Sequence, residues 1–409
     1  MKWIRLAGIA LASLALSWPV GADAPAGMAQ ALALAWRLSP QAAALDARDA
    51  EAHAARDVAA GLTPAPGSIS FGGSNDRLNR DQGKREYEVE VTTMLWLPGQ
   101  MSAHEAEAAS RVDEAVARRA ALRLALAGEV RDAWWSLAAA RHAGALAARR
   151  LESAAALAGD VRRRYQAGEL SHIDANLAQA EVLIAEAALF EAEAGLLQAE
   201  QAFRTLSGVP APSLLPEERL VMQAAQRPLF DSPETHPQLA ASVAAARSAR
   251  ARVKVAEESR RASPELALRV LRERAVADDP YSNSVGVRLK IPFSSGAQVR
   301  RETAGAQAEA DQAEAEMQRL RSQVQLAAER AQHAWQLAER QVGMAQSRRA
   351  LSDENLVLGE KSFRLGESDL ATLLRLRAAA FDASAFLDRQ QVARAAAISQ
   401  LNQALGVVP

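Results

Sequence analysis

Four short stretches of the chain alternate apolar and polar residues with a period of two, which is the pattern of β-strands with one apolar face. The alternation is clearest in residues 86–96 and 281–291, and shorter versions occupy 68–71 and 265–270. Turn-forming residues separate the members of each pair, at 72–76 and 278–280. The pattern therefore predicts two β-hairpins, at 66–97 and 264–292.

Long helical stretches fill most of the remaining sequence. Alanine, the residue with the highest helix propensity, accounts for 95 of the 409 residues, whereas aromatic residues make up only 4%. The helices should therefore pack closely through small side chains. The stretches from Pro98 to Gly168 and from Ser295 to Gly366 each have about 70 residues, and each would form a rod of about 105 Å. Opening helices are predicted at 29–61 and 237–262.

The two halves of the chain repeat the same order of elements: a helix, a hairpin, a long helix and a shorter helix. Gly168 and Gly366 are 198 residues apart, and the same spacing separates Gly208 from Gly406. Gly168 and Gly366 fall where each long helix must reverse direction, a position that favours permissive backbone angles. We therefore predict a first repeat at 23–208 with its tip at residue 168, a proline-rich connecting segment at 209–236, and a second repeat at 237–409 with its tip at residue 366.

The N-terminus has the layout of a cleaved secretory signal. Two basic residues precede an apolar run at residues 6–20, and small residues follow it. Residues 1–22 are predicted as the signal peptide, with cleavage after Ala22 or Ala26 as the alternatives. A membrane anchor is disfavoured, because the run is shorter than the ~20 residues that a spanning helix needs. The mature chain is expected outside the cytoplasm, without a transmembrane helix.

The composition excludes several kinds of chemistry. Cysteine is absent, which excludes disulfides, zinc–thiolate sites and a cysteine nucleophile. Lys and Arg total 48 against 49 Asp and Glu, so no excess of positive charge favours nucleic acid. The six histidines do not form helical metal-ligand pairs, and no phosphate loop, triad or catalytic carboxylate pair is present. The sequence therefore predicts neither an enzyme nor a metal or cofactor site; His172, near Asp174, is interpreted as a surface residue rather than a cation ligand.

Strands of about ten residues with one apolar and one charged face suit an outer-membrane β-barrel with a wet lumen. Four strands are too few to close such a barrel, but three chains would supply twelve. The lumen would be lined by the charged side chains of the polar face: Glu86, Glu88, Glu90, Arg288 and Lys290, and Arg269 is a further candidate to neutralise the glutamates. We expect basic residues on neighbouring strands to neutralise the glutamates, rather than the glutamates to select cations in the lumen. A small soluble β-domain and a long helical scaffold are the alternatives.

This duplicated order resembles the TolC-like family of outer-membrane efflux proteins, the outer membrane factors of tripartite pumps. The resemblance covers essentially the whole mature chain. Its marks are the tip sequences Gly168-Glu169 and Gly366-Glu367, the closing Leu-Ser-Gly-Val at 206–209, and the strand ends at Pro98 and Pro292. It implies a mainly α chain with a small β part, which forms a homotrimer with a twelve-stranded barrel in the outer membrane of a Gram-negative bacterium and a tapering helical tunnel in the periplasm. It also implies no covalent chemistry and no cofactor.

The resemblance assigns candidate roles at the tips. The set expected to contact a periplasmic adaptor is Gly168, Glu169, Gly366, Glu367 and Asp369. Family members often carry acidic residues six and nine positions after the second tip glycine, but Thr372 and Arg375 stand there in this chain, so an acidic entrance ring is not expected. Asp174 matches the acidic residue that ties the closed helices together in the family. Asp174 and Arg375 are therefore a candidate gate latch, with a solvated helix face as the alternative.

The expected partners are a periplasmic adaptor (a membrane fusion protein), an inner-membrane pump of the RND type and outer-membrane lipid. Within the family, the chain is most similar to the branch that serves heavy-metal cation pumps, through its Pro66-Gly67 and Pro264-Glu265 lead-ins to the strands and its tip phrase at 165–171. Many members of that branch have a lipidated N-terminal cysteine, which this chain lacks. The expected function is a passive exit duct, for heavy-metal cations or for drugs and organic solutes. A soluble periplasmic scaffold or adaptor is the alternative from another class.

Overall fold

The computed structural model describes residues 27–78, 81–221, 235–293 and 296–409. The predicted signal peptide lies outside the described residues, and so does the middle of the predicted connecting segment, 222–234. In chain order the elements are α1 (Met28–Leu38), α2 (Pro40–Ala59), β1 (Ser68–Asn75), β2 (Arg85–Met94), α3 (Gln100–Gln166), α4 (His172–Ser207), α5 (Pro237–Glu258), β3 (Glu265–Arg274), β4 (Ser282–Lys290), α6 (Gly296–Arg364) and α7 (Leu370–Ala404).

Two long helices dominate the molecule, and each is packed against a shorter helix that returns along it. α3 has 67 residues and α6 has 69, with α4 and α7 as their partners. At 1.5 Å per residue the long helices extend for roughly 100 Å, as the sequence predicts. Fully buried alanines, among them Ala127, Ala185, Ala345 and Ala383, allow the close packing. Of the helices in the described ranges, none is long and apolar enough to span a membrane.

Both long helices reverse direction through the same glycine turn. Gly168 and Gly366 have φ of +80° and +78°, in the left-handed region that glycine adopts without a side-chain clash. In each turn the N–H of the following glutamate donates to the carbonyl five residues earlier, at 2.9 Å. The two tips therefore have equivalent backbones, as the repeated sequence predicts.

The predicted opening helix at 29–61 is two helices rather than one. α2 begins at Pro40, and proline cannot supply the N–H that would continue α1. Ser39 stands between the two helices and caps α2, because its hydroxyl accepts a hydrogen bond from the Ala42 N–H at 3.3 Å. Both helices of the opening segment pack against α3.

The helices pack around two main clusters of buried side chains. The larger surrounds Trp134, which is fully buried and contacts Phe203 with ring centroids 6.1 Å apart. The second lies close to the tips and includes Val161 and Phe363. Trp335, at the equivalent place in the second repeat, is only half-buried. A fully buried tryptophan at this place is therefore found in the first repeat but not in the second.

The strands form one antiparallel sheet in the order β1-β2-β3-β4, so β2 and β3 join the two predicted hairpins. β1 continues through residues 72–75, which the sequence pattern assigns to a turn. Two of these residues are glycines, which an exposed edge strand tolerates. The predicted mainly α fold with a small β part and two hairpins is confirmed.

Candidate functional site

The two faces of the sheet differ in chemistry and in exposure. One face is apolar and remains accessible in the single chain: Phe71 is 80% exposed and Val285 is 71% exposed. The residues of this apolar face include Ile69, Phe71, Val89, Val91, Leu268, Val270, Val285, Val287 and Leu289. A continuous exposed apolar surface indicates contact with lipid or with another protein.

The opposite face carries paired charges. The ion pairs are Glu88 with Arg269 (2.9 Å), Glu90 with Arg288, Glu86 with Lys84 (3.2 Å) and Glu265 with Lys290 (3.4 Å). Arg269 and Arg288 thus meet the glutamates of β2 as expected, whereas Lys290 pairs with a glutamate of its own hairpin. This charged face is hydrophilic and largely neutralised by cross-strand contacts.

Both edges of the sheet are open. Within the described chain, β1 pairs only with β2 and β4 pairs only with β3. The outward main-chain N–H and C=O groups of β1 and β4 therefore have no strand partner in one chain. Open edges of this kind are templates for further strands. The sheet thus has the properties of a fragment that other chains complete.

The helical tips, at the other end of the molecule, carry acidic side chains. Glu169 lies 3.1 Å from the Nε atom of Arg164, and the Asp369 carboxylate caps α7 by accepting the Thr372 N–H at 2.8 Å. Hydrogen bonds from the Thr372 side chain and backbone hold the pKa of Asp369 below its usual value of 3.8. The cap is therefore complete above pH 3.8 and is lost as the pH falls through the lower folded-state pKa.

The candidate gate residues make local contacts in the single chain. Asp174 forms a capping box with Ser171: its carboxylate accepts the Ser171 N–H at 3.0 Å, and the Ser171 hydroxyl accepts the Asp174 N–H at 3.2 Å. Arg375 donates to the Thr372 hydroxyl at 3.4 Å. In the part of the chain that the structure describes, Asp174 and Arg375 do not pair with each other. The predicted latch is thus not made within one chain and stays a prediction for contacts between chains.

An arginine that the sequence analysis missed joins the two repeats near the tips. Arg377 on α7 donates to the main-chain carbonyl of Ser153 on α3 at 3.1 Å and to Glu360 on α6 at 2.7 Å. These contacts tie three helices together in one chain. No sequence signal marks the contact, because Ser153 lies 224 residues away along the chain.

A second missed arginine holds the connecting segment against the helices. Arg131 is only 2% exposed, and its guanidinium donates to both carboxylate oxygens of Glu218, at 2.9 and 2.6 Å. It also donates to Gln403 and to the carbonyl of Val407 at 3.0 Å. One side chain of the first repeat therefore fixes both the connecting segment and the C-terminal end of the second repeat.

The described residues contain no cluster of three or more His, Asp or Glu side chains that could hold a metal ion. His172 contacts the Tyr165 ring at a tip, with centroids 5.5 Å apart. His236 is buried against Gly406, and burial lowers its pKa, so it is neutral at physiological pH. Neither histidine is placed as a ligand.

The described chain is a rod of helices that ends in a small sheet, apolar on one face and charged on the other, and this architecture suits a channel subunit with a membrane-embedded strand region and a long helical extension. The comparisons with known proteins show which proteins the chain resembles. A family model described as outer membrane efflux protein matches residues 28–209, which is the first repeat. The first repeat is therefore similar to outer membrane efflux proteins. No curated protein matches the chain.

Solved structures extend the likeness to nearly the whole chain. The outer membrane protein VceC of Vibrio cholerae is 15% identical, with a TM-score of 0.74 over 93% of this chain and 96% of VceC. The CmeC outer membrane channel of Campylobacter jejuni is 15% identical, with a TM-score of 0.75 over 99% of this chain and 94% of CmeC. CusC is 15% identical, with a TM-score of 0.76 over 93% of this chain and 92% of CusC. The predicted TolC-like fold is therefore confirmed.

Proposed function

We propose that three copies of this chain assemble into a passive exit duct, the outer-membrane component of a tripartite efflux system. The proposal is carried by the four-stranded sheet, with its exposed apolar face and two open edges. Three such sheets supply twelve strands, enough to close a barrel, whereas a single chain with four strands cannot. In the closed barrel the apolar face meets lipid and the charged face lines the lumen.

The helices would continue the duct into the periplasm. In the single chain α4 and α6 leave large apolar side chains exposed, including Phe190 at 61% and Met344 at 63%. Packing between copies would remove such side chains from water. The tips, with Glu169, Glu367 and Asp369, are then the part of the duct farthest from the outer membrane. There the duct would dock a periplasmic adaptor and, through it, an RND-type inner-membrane pump.

The proposed cargo is heavy-metal cations. The support is the similarity of the tip phrase at 165–171 and of the strand lead-ins to the heavy-metal branch of the family. Drugs or organic solutes are the alternative cargo. A soluble periplasmic scaffold is disfavoured, because the apolar face and the open edges of the sheet would stand in water.

Membrane fractionation tests the duct. We expect the mature protein in the outer-membrane fraction, released only by detergent, with the mass of a trimer in native mass spectrometry and with ion conductance in planar bilayers. Deletion of the gene should sensitise the cells to heavy-metal cations. A folded monomer released by osmotic shock without detergent would contradict the duct, whereas drug sensitivity without metal sensitivity would contradict the cargo alone.

The gate is proposed at the contact between copies, where Asp174 would meet Arg375. Asp174→Asn keeps an oxygen that can accept the Ser171 N–H, so the helix cap survives while the charge is removed. We expect unchanged thermal stability and a conductance of the trimer raised roughly twofold or more, because the attraction that closes the entrance is lost.

The matched control is Asp369→Asn, which alters the corresponding cap of α7 and leaves Asp174 in place. Its conductance should stay near that of the wild type. An Asp174→Asn trimer that conducts like the wild type would show that Asp174 serves only as a helix cap.

A further inference from the structure

Three arginines extend the apolar face of the sheet at its hairpin-loop end. Arg85 is the register partner of Arg274, and Tyr87 is the partner of Arg272, so all four side chains share the face of the exposed valines. They lie beside the two hairpin loops, at the end of the sheet farthest from the helices. We define Arg85, Arg272, Arg274, Tyr87 and Tyr281 as the basic collar.

Aromatic rings and main-chain carbonyls position the arginines. The guanidinium carbons of Arg272 and Arg274 lie 4.7 and 5.2 Å from the centre of the Tyr281 ring. The ring of Tyr87 lies beside it, with centroids 6.4 Å apart. Arg274 also donates to two main-chain carbonyls of the hairpin loops, both at 3.1 Å. None of these contacts neutralises the positive charges.

Carboxylates of the same strands point away from the collar. Glu86 and Glu273 lie on the opposite face of the sheet, and Glu86 is already paired with Lys84 at 3.2 Å. Among the described residues, no carboxylate forms an ion pair with any of the three collar arginines. This includes the carboxylates of the aspartates in the hairpin loops. Arg85 and Arg274 even face each other directly, a like-charge pairing that is unfavourable unless an anion lies between them.

We propose that the basic collar binds phosphate groups on the headgroups of outer-leaflet lipid. The position of the basic collar in the membrane rests on the proposed function, in which the helices point into the periplasm and the hairpin loops face the exterior. The rows that contain Val89 and Val270 then lie among the acyl chains, and the collar, one row further out, lies at the depth of the headgroups. Tyrosine rings are typical of that depth.

The chemistry of the collar fits this ligand. A guanidinium group donates two parallel hydrogen bonds to phosphate oxygens and remains charged at any physiological pH. Arg85 and Arg272 are exposed, so their donors are accessible from the lipid side. A phosphate between Arg85 and Arg274 would convert the unfavourable like-charge row into a favourable one, and three copies of the chain would present three such sites around the barrel.

Lipid retention by the purified trimer tests the proposal. Native mass spectrometry would compare the binding of a bis-phosphorylated glycolipid, its dephosphorylated form and inorganic phosphate. We expect the triple variant Arg85→Gln/Arg272→Gln/Arg274→Gln to bind the phosphorylated lipid about tenfold or more weakly than the wild type, since several charge-assisted hydrogen bonds are lost. The dephosphorylated lipid should bind both proteins weakly and equally. The single variant Arg85→Gln should also bind the phosphorylated lipid more weakly than the wild type, but by a smaller factor. Because the Arg85 side chain is exposed, this variant provides the test if the triple variant does not fold.

The control removes the same charge elsewhere, in Arg48→Gln/Arg123→Gln/Arg162→Gln, three exposed arginines of the helices. This control should retain the lipid. Equal retention by the wild type, Arg85→Gln and the collar triple variant would overturn the proposal, and so would full displacement of the lipid by inorganic phosphate. Trimer mass and conductance, measured on the same samples, report separately on the duct, so that loss of lipid binding alone leaves the proposed function standing.

Discussion

Val285→Lys is expected to prevent assembly in the outer membrane, whereas Ser284→Lys, one residue away, should be tolerated. Val285 lies within the exposed apolar face, so the substitution places a charge among the acyl chains. Val285 shares a row with Val270 and Val89, one row inside the collar, so the cost per chain lies between the ~2–4 kcal/mol expected at the bilayer middle and the ~0–1 kcal/mol expected at the interface, and three copies would each carry it. Ser284 lies in the row of Leu271 and Glu88 on the charged face, where a lysine side chain would remain in the water of the lumen.

The measurement is the amount of trimer that detergent extracts from outer membranes in each variant, with conductance in planar bilayers as the functional readout. Both substitutions add the same side chain to the same strand, so a difference between them reports on the face and not on strand propensity. Equal yields of trimer from the two variants would show that the apolar face does not meet lipid.

Arg131→Met is expected to destabilise the helical part of the protein by about 3–5 kcal/mol. The substitution removes the partner of the Glu218 carboxylate, which is only 14% exposed, and leaves that charge without compensation. It also releases Gln403 and the carbonyl of Val407 at the C-terminal end of the second repeat. The measurement is the free energy of unfolding of the purified trimer in guanidinium chloride, followed by circular dichroism.

Two further variants serve as controls for the Arg131→Met prediction. Arg150→Met breaks an ion pair of similar length, with one carboxylate oxygen of Glu181 at 2.9 Å, but both side chains are about a quarter exposed, so a loss of at most ~1 kcal/mol is expected. Adding Glu218→Leu to Arg131→Met should recover much of the stability, because the uncompensated charge is gone. A loss in Arg131→Met no larger than that in Arg150→Met would mean that the connecting segment is held by other contacts.

The features that the sequence predicts best are those governed by local rules. Period-two alternation identifies the four strands, because side chains of a strand point alternately to its two faces. The glycines at 168 and 366 predict the reversals, because a left-handed backbone angle is required there whatever surrounds it. The break at Ser39 was equally local, since Pro40 is visible in the sequence, but the strong helical pattern on both sides hides it.

The features that the sequence does not predict depend on partners distant along the chain. Arg131 and Arg377 have no signal of their own, because their carboxylate and carbonyl partners come together only in the folded molecule. Trp335 is half-buried although Trp134, at the equivalent place in the first repeat, is fully buried, and the matching positions in the sequence do not reveal this difference. For Asp174 the family resemblance suggests a gate, while the local backbone uses the same carboxylate as a cap, and sequence alone cannot separate the two roles.

The hydroxyl and the carboxylate that cap α4 occupy swapped positions in the cap of α7, and this difference affects how a binding partner could recognise the tips. The first repeat begins its return helix with a hydroxyl at residue 171 and a carboxylate at residue 174, and the second begins with a carboxylate at residue 369 and a hydroxyl at residue 372. Around a ring of three chains, six similar-looking ends would therefore present negative charge at two alternating heights. A binding partner that contacts all six helix ends must fit two kinds of end that alternate around the ring. Such a partner can therefore bind only in orientations that differ by one third of a turn.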